Sequence, residues 1–217
     1  MRFVVTAGPT REPIDPVRYL SNRSSGKMGY AIAEAAIEAG HEVVLISGPV
    51  SFDPPAGAQL ISVSTSDDMH AAVDRHLDDC DVVVMCAAVA DYKPAKVFAQ
   101  KIKKQNALLQ LELVPTRDIL ASLGKQDRPY LLVGFAAETN DVEENAQKKL
   151  REKNCDMIVA NDVSGADSGM EGDNNEVTIF FRSGEKEKIS RDSKKNVARE
   201  LVKKISNMRE KCLTKKM

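Results

Sequence analysis

The sequence predicts a single α/β domain of the Rossmann-like kind, in which a mostly parallel sheet carries helices on both faces. Short β-branched runs alternate with helix-length amphipathic segments along the 217 residues. Some of these runs are apolar at successive positions, as at residues 82–85, which is typical of strands covered on both faces. No repeat or low-complexity linker divides the chain. We therefore expect one domain over residues 1–210, followed by a frayed basic tail over residues 211–217.

The apolar runs predict strands, in chain order, over residues 3–6, 42–47, 59–63, 81–88, 108–114, 130–137, 156–160 and 176–182. The last of them is expected to belong to a β-hairpin-like extension at the C-terminal end. The amphipathic segments predict helices over residues 26–39, 66–77, 116–123, 142–153 and 192–208. Ser66 and Thr116 provide hydroxyl groups at two helix starts, and Gly40 lies where the first helix ends.

The composition excludes several classes of protein. Thirty-one basic and 32 acidic residues give a net charge of -1, so no overall field attracts nucleic acid or an anionic membrane. No apolar run approaches the roughly 18 residues of a membrane span, and the N-terminus does not resemble a signal peptide. The cysteines form no CxxC pair and the histidines number three. These features predict a reduced, cytoplasmic protein without a structural metal site.

Three long segments interrupt the alternation, over residues 7–25, 91–107 and 161–175. Each of them follows a predicted strand. Ligands of open parallel sheets bind beyond the carboxyl ends of the strands, so these segments are expected to converge on a binding site.

The first segment contains neither of two well-known nucleotide motifs. Gly8 is not followed by the other glycines of the dinucleotide fingerprint, and Gly26-Lys27 continues with a methionine where a P-loop requires a hydroxyl residue. Ser24-Ser25-Gly26 does open a predicted helix, and its hydroxyl and backbone N–H groups suit a phosphate. The alternative is that the two serines only cap the helix.

The second segment begins with small residues. Ala87 and Ala88 allow a ring or sugar to approach the backbone, and Asp91 is placed to contact a ribose hydroxyl or Mg²⁺. Asp91 as a simple turn residue is the alternative. Lys101 opens the run Lys-Ile-Lys-Lys, which either neutralises a polyphosphate or forms a solvated charged loop.

Small residues also occur near the end of the predicted strand over residues 130–137, where Gly134, Phe135 and Ala136 follow one another. Phe135 either packs against a base or belongs to the core. No Ser/His/Asp or Cys/His arrangement is recognisable, and the cysteines are expected to be inert thiols. The residues therefore indicate a site of phosphate binders and amides.

Taken in order, the strings at residues 6–18, 21–29, 87–92, 101–104, 134–139 and 160–163 resemble those of the phosphopantothenoylcysteine synthetases (phosphopantothenate–cysteine ligases) of coenzyme A biosynthesis. The resemblance runs from about residue 3 to about residue 190. It implies a Rossmann-like fold and the ligation of 4′-phosphopantothenate to L-cysteine through a 4′-phosphopantothenoyl-cytidylate, with CMP and pyrophosphate released. The two alanines after Phe135 resemble the bacterial, CTP-using form, whereas the eukaryotic enzymes prefer ATP.

The resemblance also implies roles for individual residues. Asn22 holds the acyl-nucleotide, and Lys101 stabilises the charge of the transferring phosphate. Arg18, Asn22 and Ala88 contact phosphopantothenate or its intermediate. Mg²⁺ is implied, with no residue assigned as its ligand. Lys148 and Lys153 are alternatives to Lys149 in the implied nucleotide set, which is Gly8, Ser24, Ser25, Gly26, Ala87, Asp91, Lys101, Gly134, Phe135, Ala136 and Lys149.

The resemblance implies a homodimer as well. Because the sequence begins at the ligase strand, it implies a standalone form that binds no flavin, with a flavin-dependent decarboxylase as a separate protein. One rival is an NAD(P)-binding reductase on the same fold, which requires a glycine fingerprint and a Tyr-xxx-Lys pair on a helix. Tyr92 and Lys96 have that spacing, but they lie in a predicted loop. A nucleotide-sensing module without turnover is the second rival.

Overall fold

The structure is a computed structural model that describes residues 1–104, 108–138, 140–162 and 172–214. Parts of four expectations lie outside these residues: residues 105–107 of the second segment, the motif position Thr139, residues 163–171 of the third segment, and residues 215–217 of the tail. The strands and helices are, in chain order, β1 (Arg2–Ala7), β2 (Arg11–Pro13), β3 (Tyr19–Ser21), α1 (Lys27–Glu38), β4 (Glu42–Ser47), β5 (Gln59–Ser62), α2 (Ser66–Asp74), β6 (Val82–Met85), β7 (Tyr92–Pro94), β8 (Leu113–Pro115), α3 (Ile119–Gly124), β9 (Leu131–Glu138), α4 (Val142–Glu152), β10 (Met157–Asp162), β11 (Asn174–Phe181), β12 (Lys186–Ser193) and α5 (Lys194–Thr214).

The main sheet confirms the predicted fold class. It has eight strands in the order β12-β11-β10-β9-β6-β1-β4-β5. Strands β5, β4, β1, β6, β9 and β10 run parallel, whereas β11 and β12 form an antiparallel hairpin that extends the sheet beyond β10. This hairpin is the predicted C-terminal extension.

Both faces of the sheet are covered by helices, as the continuous apolar runs predict. Val5 and Val84 point to one face, where α1 and α5 pack, and contribute to one apolar cluster. Val4 and Val83 point to the other face, where α2, α3 and α4 pack, and contribute to a second cluster. Within the described residues, no helix combines the length and apolarity that a membrane crossing requires.

The predicted strand over residues 108–114 is wrong. Within the described part of that range, only the last two residues belong to a strand, and β8 pairs with β7 in a separate two-stranded sheet. Leu108 is 88% exposed and Leu109 is 53% exposed, so these leucines do not anchor a strand in the core. An apolar run without a partner strand leaves its backbone unpaired and gains nothing from sheet formation.

Other boundaries also differ from those predicted. The segment after β1 contains the hairpin of β2 and β3. The second and third helices are capped by Thr65 and Asp118, whose side chains accept backbone N–H groups, in place of Ser66 and Thr116. Helix α5 continues to Thr214, so residues 211–214 of the expected tail are helical in the structure.

Helix α1 approaches the end of β1 very closely. A Cβ atom on Gly29 would lie 2.6 Å from the Cβ atom of Ala7 and 3.0 Å from the carbonyl oxygen of Thr6. Just before the helix, Gly26 has φ +79°, a left-handed conformation that favours glycine. The glycines required for a tight strand–helix junction are therefore present, although they do not form the dinucleotide fingerprint.

We predict that Gly29→Ala destabilises the protein by about 1–3 kcal/mol, because the added methyl group overpacks the contact between α1 and β1. Thermal unfolding followed by circular dichroism measures the effect. The double variant Ala7→Gly, Gly29→Ala removes the methyl group nearest to the new one and should recover part of the loss. Equal stability of Gly29→Ala and the wild type would show that the helix does not need this approach.

Candidate functional site

A cleft of about 840 Å³ lies beyond the carboxyl ends of β1, β6, β9 and β10. In open α/β sheets this edge is where ligands bind. The residues that line the cleft come from all three long segments named above, from the starts of α1 and α5, from α4, from β9 and from the residues that follow β6: Asn22, Arg23, Ser24, Gly26, Lys27, Met28, Gly29, Cys86, Ala87, Ala88, Val89, Asp91, Phe135, Ala136, Ala137, Lys149, Asn161, Gly172, Asn175 and Lys194.

Two buried threonines shape the wall that follows β6. The hydroxyl oxygen of Thr6 accepts hydrogen bonds from the backbone N–H groups of Cys86 and Ala87, both at 3.1 Å. The hydroxyl oxygen of Thr10 accepts the N–H of Ala90 at 3.0 Å. Because these N–H groups are bound by side chains, β6 ends at Met85 and the alanine segment turns toward the cleft. The predicted strand over residues 81–88 is too long for this reason.

Asn22 is fixed against the same segment. Its side-chain nitrogen donates to the carbonyl oxygens of Ala88 at 3.1 Å and Val89 at 3.2 Å. Both amide hydrogens have acceptors in this arrangement, so the side-chain oxygen of Asn22 is the atom left to interact with a ligand. That oxygen is a hydrogen-bond acceptor.

The wall that follows β9 contains Phe135 and Lys149. The ammonium group of Lys149 donates to the carbonyl oxygen of Phe135 at 2.8 Å, and burial lowers the pKa of Lys149. Of the three lysines left open by the sequence, Lys149 is the one that lines the cleft. Lys148 is exposed, and Lys153 forms an ion pair with Asp118 at 2.6 Å.

Asn161 is the first residue of the third long segment, and it lines the cleft although the sequence analysis gave it no role of its own. It lies near the end of β10, and its buried side-chain oxygen has no hydrogen-bond partner within the described residues. A buried acceptor without a hydrogen bond costs desolvation free energy, and a hydrogen bond from a donor offsets that cost. This oxygen is therefore suited to accept an N–H or O–H group of a ligand. Asp91 was singled out because it follows a predicted apolar strand. Asn161 follows the predicted strand over residues 156–160 in the same way.

The described lining residues make the cleft cationic, and they include no activated nucleophile. Arg23, Lys27, Lys149 and Lys194 line it, and Asp91 is the carboxylate among the described lining residues. Burial raises the pKa of the Cys86 thiol to about 12, so that thiol stays protonated near neutral pH. The described residues contain no group of three His, Cys, Asp or Glu side chains arranged to hold a metal ion.

The cleft brings together most of the residues that the sequence singled out, namely Asn22, Ser24, Gly26, Ala87, Ala88, Asp91, Phe135, Ala136 and Lys149. Gly8 and Ser25 lie immediately beside it. The carbonyl oxygen of Gly8 accepts the N–H of Ala88, and Ser25 neighbours two lining residues in the chain. Gly134 packs into the core, where an added Cβ would lie 2.7 Å from the Cδ1 atom of Ile158.

Arg18 and Lys101 do not line the cleft of their own chain. Arg18 donates from two nitrogens to the buried carboxylate of Asp15, at 3.0 and 2.5 Å, and also to the carbonyl oxygen of Ile102 at 3.0 Å. Asp15 in turn accepts the N–H of Ile102 at 3.1 Å. Lys101, the neighbour of Ile102, is exposed. It lies on a loop that the side chains of Asp15 and Arg18 hold in place through Ile102.

Asp15 is the centre of this anchor. Its side chain is 0% exposed and also accepts the backbone N–H groups of Val17 and Arg18, both at 2.9 Å. The Arg18 guanidinium holds the pKa of the Asp15 carboxyl well below its usual range, so the group is ionised at neutral pH. The sequence offered no sign of this contact, because Asp15 and Ile102 are far apart in the chain.

Comparison with known proteins gives consistent matches over nearly the whole chain. The profile of the family described as DNA/pantothenate metabolism flavoprotein C-terminal domain matches residues 1–208. The coenzyme A biosynthesis bifunctional protein CoaBC of Bacillus subtilis is 52% identical over 204 residues, which make up 94% of this chain and 50% of that protein. CoaBC of Escherichia coli is 49% identical over 191 residues, 86% of this chain and 47% of that protein. The chain thus spans about half the length of the curated relatives it matches.

Solved structures agree with the sequence matches. The crystal structure of the C-terminal domain of CoaBC has a TM-score of 0.83 and 48% identity, and the match covers 97% of this chain and 96% of that domain. A variant of Cab2 in complex with phosphopantothenate-cysteine has a TM-score of 0.82 over 99% of this chain and 88% of that protein. Its identity is 14%, so this second likeness shows the fold alone.

We predict that Asp15→Asn loosens the loop that carries Lys101. An asparagine offers one acceptor oxygen in place of two, and its NH₂ group repels the N–H donors that now surround Asp15. Trypsin should therefore cleave after Lys101, Lys103 and Lys104 several-fold faster than in the wild type, as followed by mass spectrometry.

Asp74→Asn is the matched control for that experiment, because the carboxylate of Asp74 is partly exposed and pairs with His70 at the surface. This variant should be cleaved like the wild type. Identical cleavage of Asp15→Asn and Asp74→Asn, with intact circular dichroism in both, would contradict the anchoring role of Asp15.

Proposed function

This chain belongs to the family of the DNA/pantothenate metabolism flavoprotein C-terminal domain, and from that membership we propose that it is a cytoplasmic, CTP-dependent phosphopantothenate–cysteine ligase of coenzyme A biosynthesis. The observation that carries the proposal is the cleft itself, whose described lining residues combine four cations and a fixed amide and include no nucleophile–base pair. Such a site suits a reaction in which the substrates, and not protein side chains, provide the nucleophile and the group that it attacks.

The proposed reaction has two steps. A carboxylate oxygen of 4′-phosphopantothenate attacks the α-phosphorus of CTP, and the bond to the β-phosphate breaks to release pyrophosphate. The amine of cysteine then attacks the acyl carbon of the mixed anhydride. CMP leaves with the bridging oxygen, and the amine proton passes to solvent. The first step requires in-line placement and dispersal of negative charge, which cations and backbone N–H groups supply.

The nucleotide fits the wall formed by Phe135, Ala136 and Lys149 in this proposal. The ring of Phe135 is half-buried at the cleft and offers an apolar surface to the base, while Ala136 leaves room for it. Asp91 reaches either the ribose or a Mg²⁺ ion held by the phosphates. One carboxylate together with phosphate oxygens is a common way for proteins to hold Mg²⁺, so the residues present fit the ion.

Asn22 is proposed to orient the acyl-nucleotide and the incoming amine. Its oxygen is the free acceptor described above, and an acceptor suits the N–H group of cysteine better than it suits a phosphate oxygen. Lys101 is proposed to stabilise the transferring phosphate. Because Lys101 is exposed and outside the cleft, this role requires its loop to close over bound nucleotide. The roles of Arg18, Gly8, Ser25 and Gly134 remain predictions from the family resemblance.

We also propose that the protein is a homodimer. Large exposed apolar side chains concentrate in β3, in β7 and β8, and in the segments beside them: Val17, Tyr19, Tyr92, Val97, Leu108, Leu109 and Leu113. A hydrogen bond from the Phe98 N–H to the Ile14 carbonyl oxygen joins the segments that follow β7 and β2. A second copy of the chain would cover this surface. A flavin-dependent decarboxylase is the proposed consumer of the product.

The direct test is to mix the protein with 4′-phosphopantothenate, L-cysteine, Mg²⁺ and either CTP or ATP. We expect pyrophosphate and CMP to appear with CTP, together with an amide product of the expected mass, and much slower turnover with ATP. Nucleotide binding without pyrophosphate release would favour a sensing module and reject the ligase. Faster turnover with ATP would reject only the choice of nucleotide.

We predict that Asn22→Asp lowers amide formation by on the order of 100-fold while the fold is retained. The substitution places a carboxylate oxygen where the nitrogen now lies, 3.1 and 3.2 Å from two carbonyl oxygens, and repulsion displaces the side chain. Product formation is followed by mass spectrometry. Asn207→Asp makes the same change of charge on an exposed face of α5 and should keep full activity. Unchanged ligation by Asn22→Asp would remove Asn22 from the mechanism.

A further inference from the structure

The segment that follows β1 runs beside the segment that follows β6 as a short continuation of the parallel sheet. The N–H of Ala88 donates to the carbonyl oxygen of Gly8 at 3.0 Å, and the N–H of Thr10 donates to the carbonyl oxygen of Ala88 at 3.2 Å. Pro9 and Ala88 form the parallel bridge between these two bonds. In a regular parallel ladder, the next bond would join the N–H of Ala90 to the carbonyl oxygen of Thr10.

Thr10 replaces that bond with one to its side chain. The N–H of Ala90 donates to the hydroxyl oxygen of Thr10 at 3.0 Å, and Thr10 is 0% exposed. The carbonyl oxygen of Thr10 accepts the hydroxyl group of Ser21 at 2.7 Å instead. The buried N–H and the buried carbonyl oxygen therefore both have partners, although the ladder has ended.

These bonds connect Thr10 to Asn22 in two ways. Ser21 is the last residue of β3 and directly precedes Asn22 in the chain. The carbonyl oxygen of Ala88, which accepts the N–H of Thr10, also accepts the side-chain nitrogen of Asn22 at 3.1 Å. A carbonyl oxygen has two lone pairs and can accept both bonds. The position of Asn22 thus depends on Thr10 through Ser21 and through the shared oxygen of Ala88.

We propose that Thr10 is a positioning residue for Asn22. This inference rests on the proposed function, in which Asn22 orients the acyl-nucleotide and the incoming amine. Asn22 and Ala88 line the cleft, whereas neither Thr10 nor Ser21 is among the described lining residues. Thr10 therefore acts on the reaction through Asn22. Its hydroxyl group is the important feature, because it leaves the Thr10 carbonyl oxygen to Ser21.

Thr10→Val is the first variant, because it keeps the shape of the side chain and removes the hydroxyl group. The N–H of Ala90 then either stays unpaired or takes the carbonyl oxygen of residue 10 from Ser21. We expect amide formation to fall by about tenfold to 100-fold, since small displacements of a group at the reacting atoms have effects of that size. Thr10→Ser keeps the hydroxyl group and should restore most of the rate. Equal loss in Thr10→Ser and Thr10→Val would overturn the proposal.

Ser21→Ala tests the other end of the same hydrogen bond. Ser21 is exposed, so this variant is expected to fold even if Thr10→Val does not. Amide formation should be several-fold slower than in the wild type. Ser62→Ala is the matched control, because Ser62 is also exposed and ends β5, the edge strand of the main sheet. Equal rates in Ser21→Ala and Ser62→Ala would show that this anchor does not serve the reaction.

A double-mutant cycle separates positioning from a general loss of structure. Asn22→Ala removes the side chain that Thr10 is proposed to position. Thr10→Val and Ser21→Ala should therefore slow amide formation in the wild-type background and change it little in the Asn22→Ala background. Loss by the same factor in both backgrounds would mean that Thr10 and Ser21 do not act through Asn22.

A measurement without turnover follows the Asn22 side chain directly. Its NH₂ signals in the NMR spectrum of nitrogen-15-labelled protein are identified by their absence from Asn22→Ala. We expect these protons to exchange with water several-fold faster in Thr10→Val and Ser21→Ala than in the wild type, because their acceptors are displaced. Exchange should be unchanged in Thr10→Ser and Ser62→Ala. Unchanged exchange in Ser21→Ala as well would reject the positioning role.

These outcomes are separable from failure of the proposed function. If the wild type forms no amide, the ligase is rejected, and the exchange of the Asn22 protons still decides whether Thr10 and Ser21 position that side chain. If the wild type forms the amide, and Ser21→Ala matches Ser62→Ala in both rate and exchange, the ligase stands and the positioning role is rejected.

Discussion

The cleft depends on two threonine hydroxyl groups that replace strand partners. Thr6 binds the backbone N–H groups of Cys86 and Ala87, and Thr10 binds that of Ala90, and the ladder of β6 stops where those bonds begin. The carbonyl oxygens of Ala88 and Val89 are then available to Asn22. The long segment after β1 is thereby bonded to the segment after β6, and the two of them form one continuous wall.

This wall explains why the site can be rigid without a catalytic triad. Each Asn22 amide hydrogen has an acceptor, and the glycines of the strand–helix junction bring the start of α1 against β1. A fixed amide and fixed positive charges stabilise a transition state without reorganisation at the moment of reaction. Lys101 lies on a different segment, which is hydrogen-bonded through Ile102 to Asp15 and Arg18.

The sequence predicts the main sheet well, because each strand buried on both faces is a continuous apolar run. It predicts a hairpin-like extension but does not locate β12, in which Ile189 is the buried residue of an otherwise polar edge strand, and it does not reveal the small hairpins outside the sheet. The expectation that ligands bind beyond the carboxyl ends of parallel strands correctly places Ala87, Asp91 and Phe135 at one cleft. Asp15 is not found in this way, because its hydrogen bond to the N–H of Ile102 joins residues that are distant in the chain. Local patterns carry no information about such contacts.

The central claim is that the cleft converts a carboxylate into a mixed anhydride with a nucleotide. It is tested most directly with 4′-phosphopantothenate labelled with oxygen-18 in its carboxylate, in a reaction with CTP and cysteine. The account predicts that the CMP released carries one labelled oxygen and the amide keeps the other. Unlabelled CMP, formed together with the amide product, would contradict it.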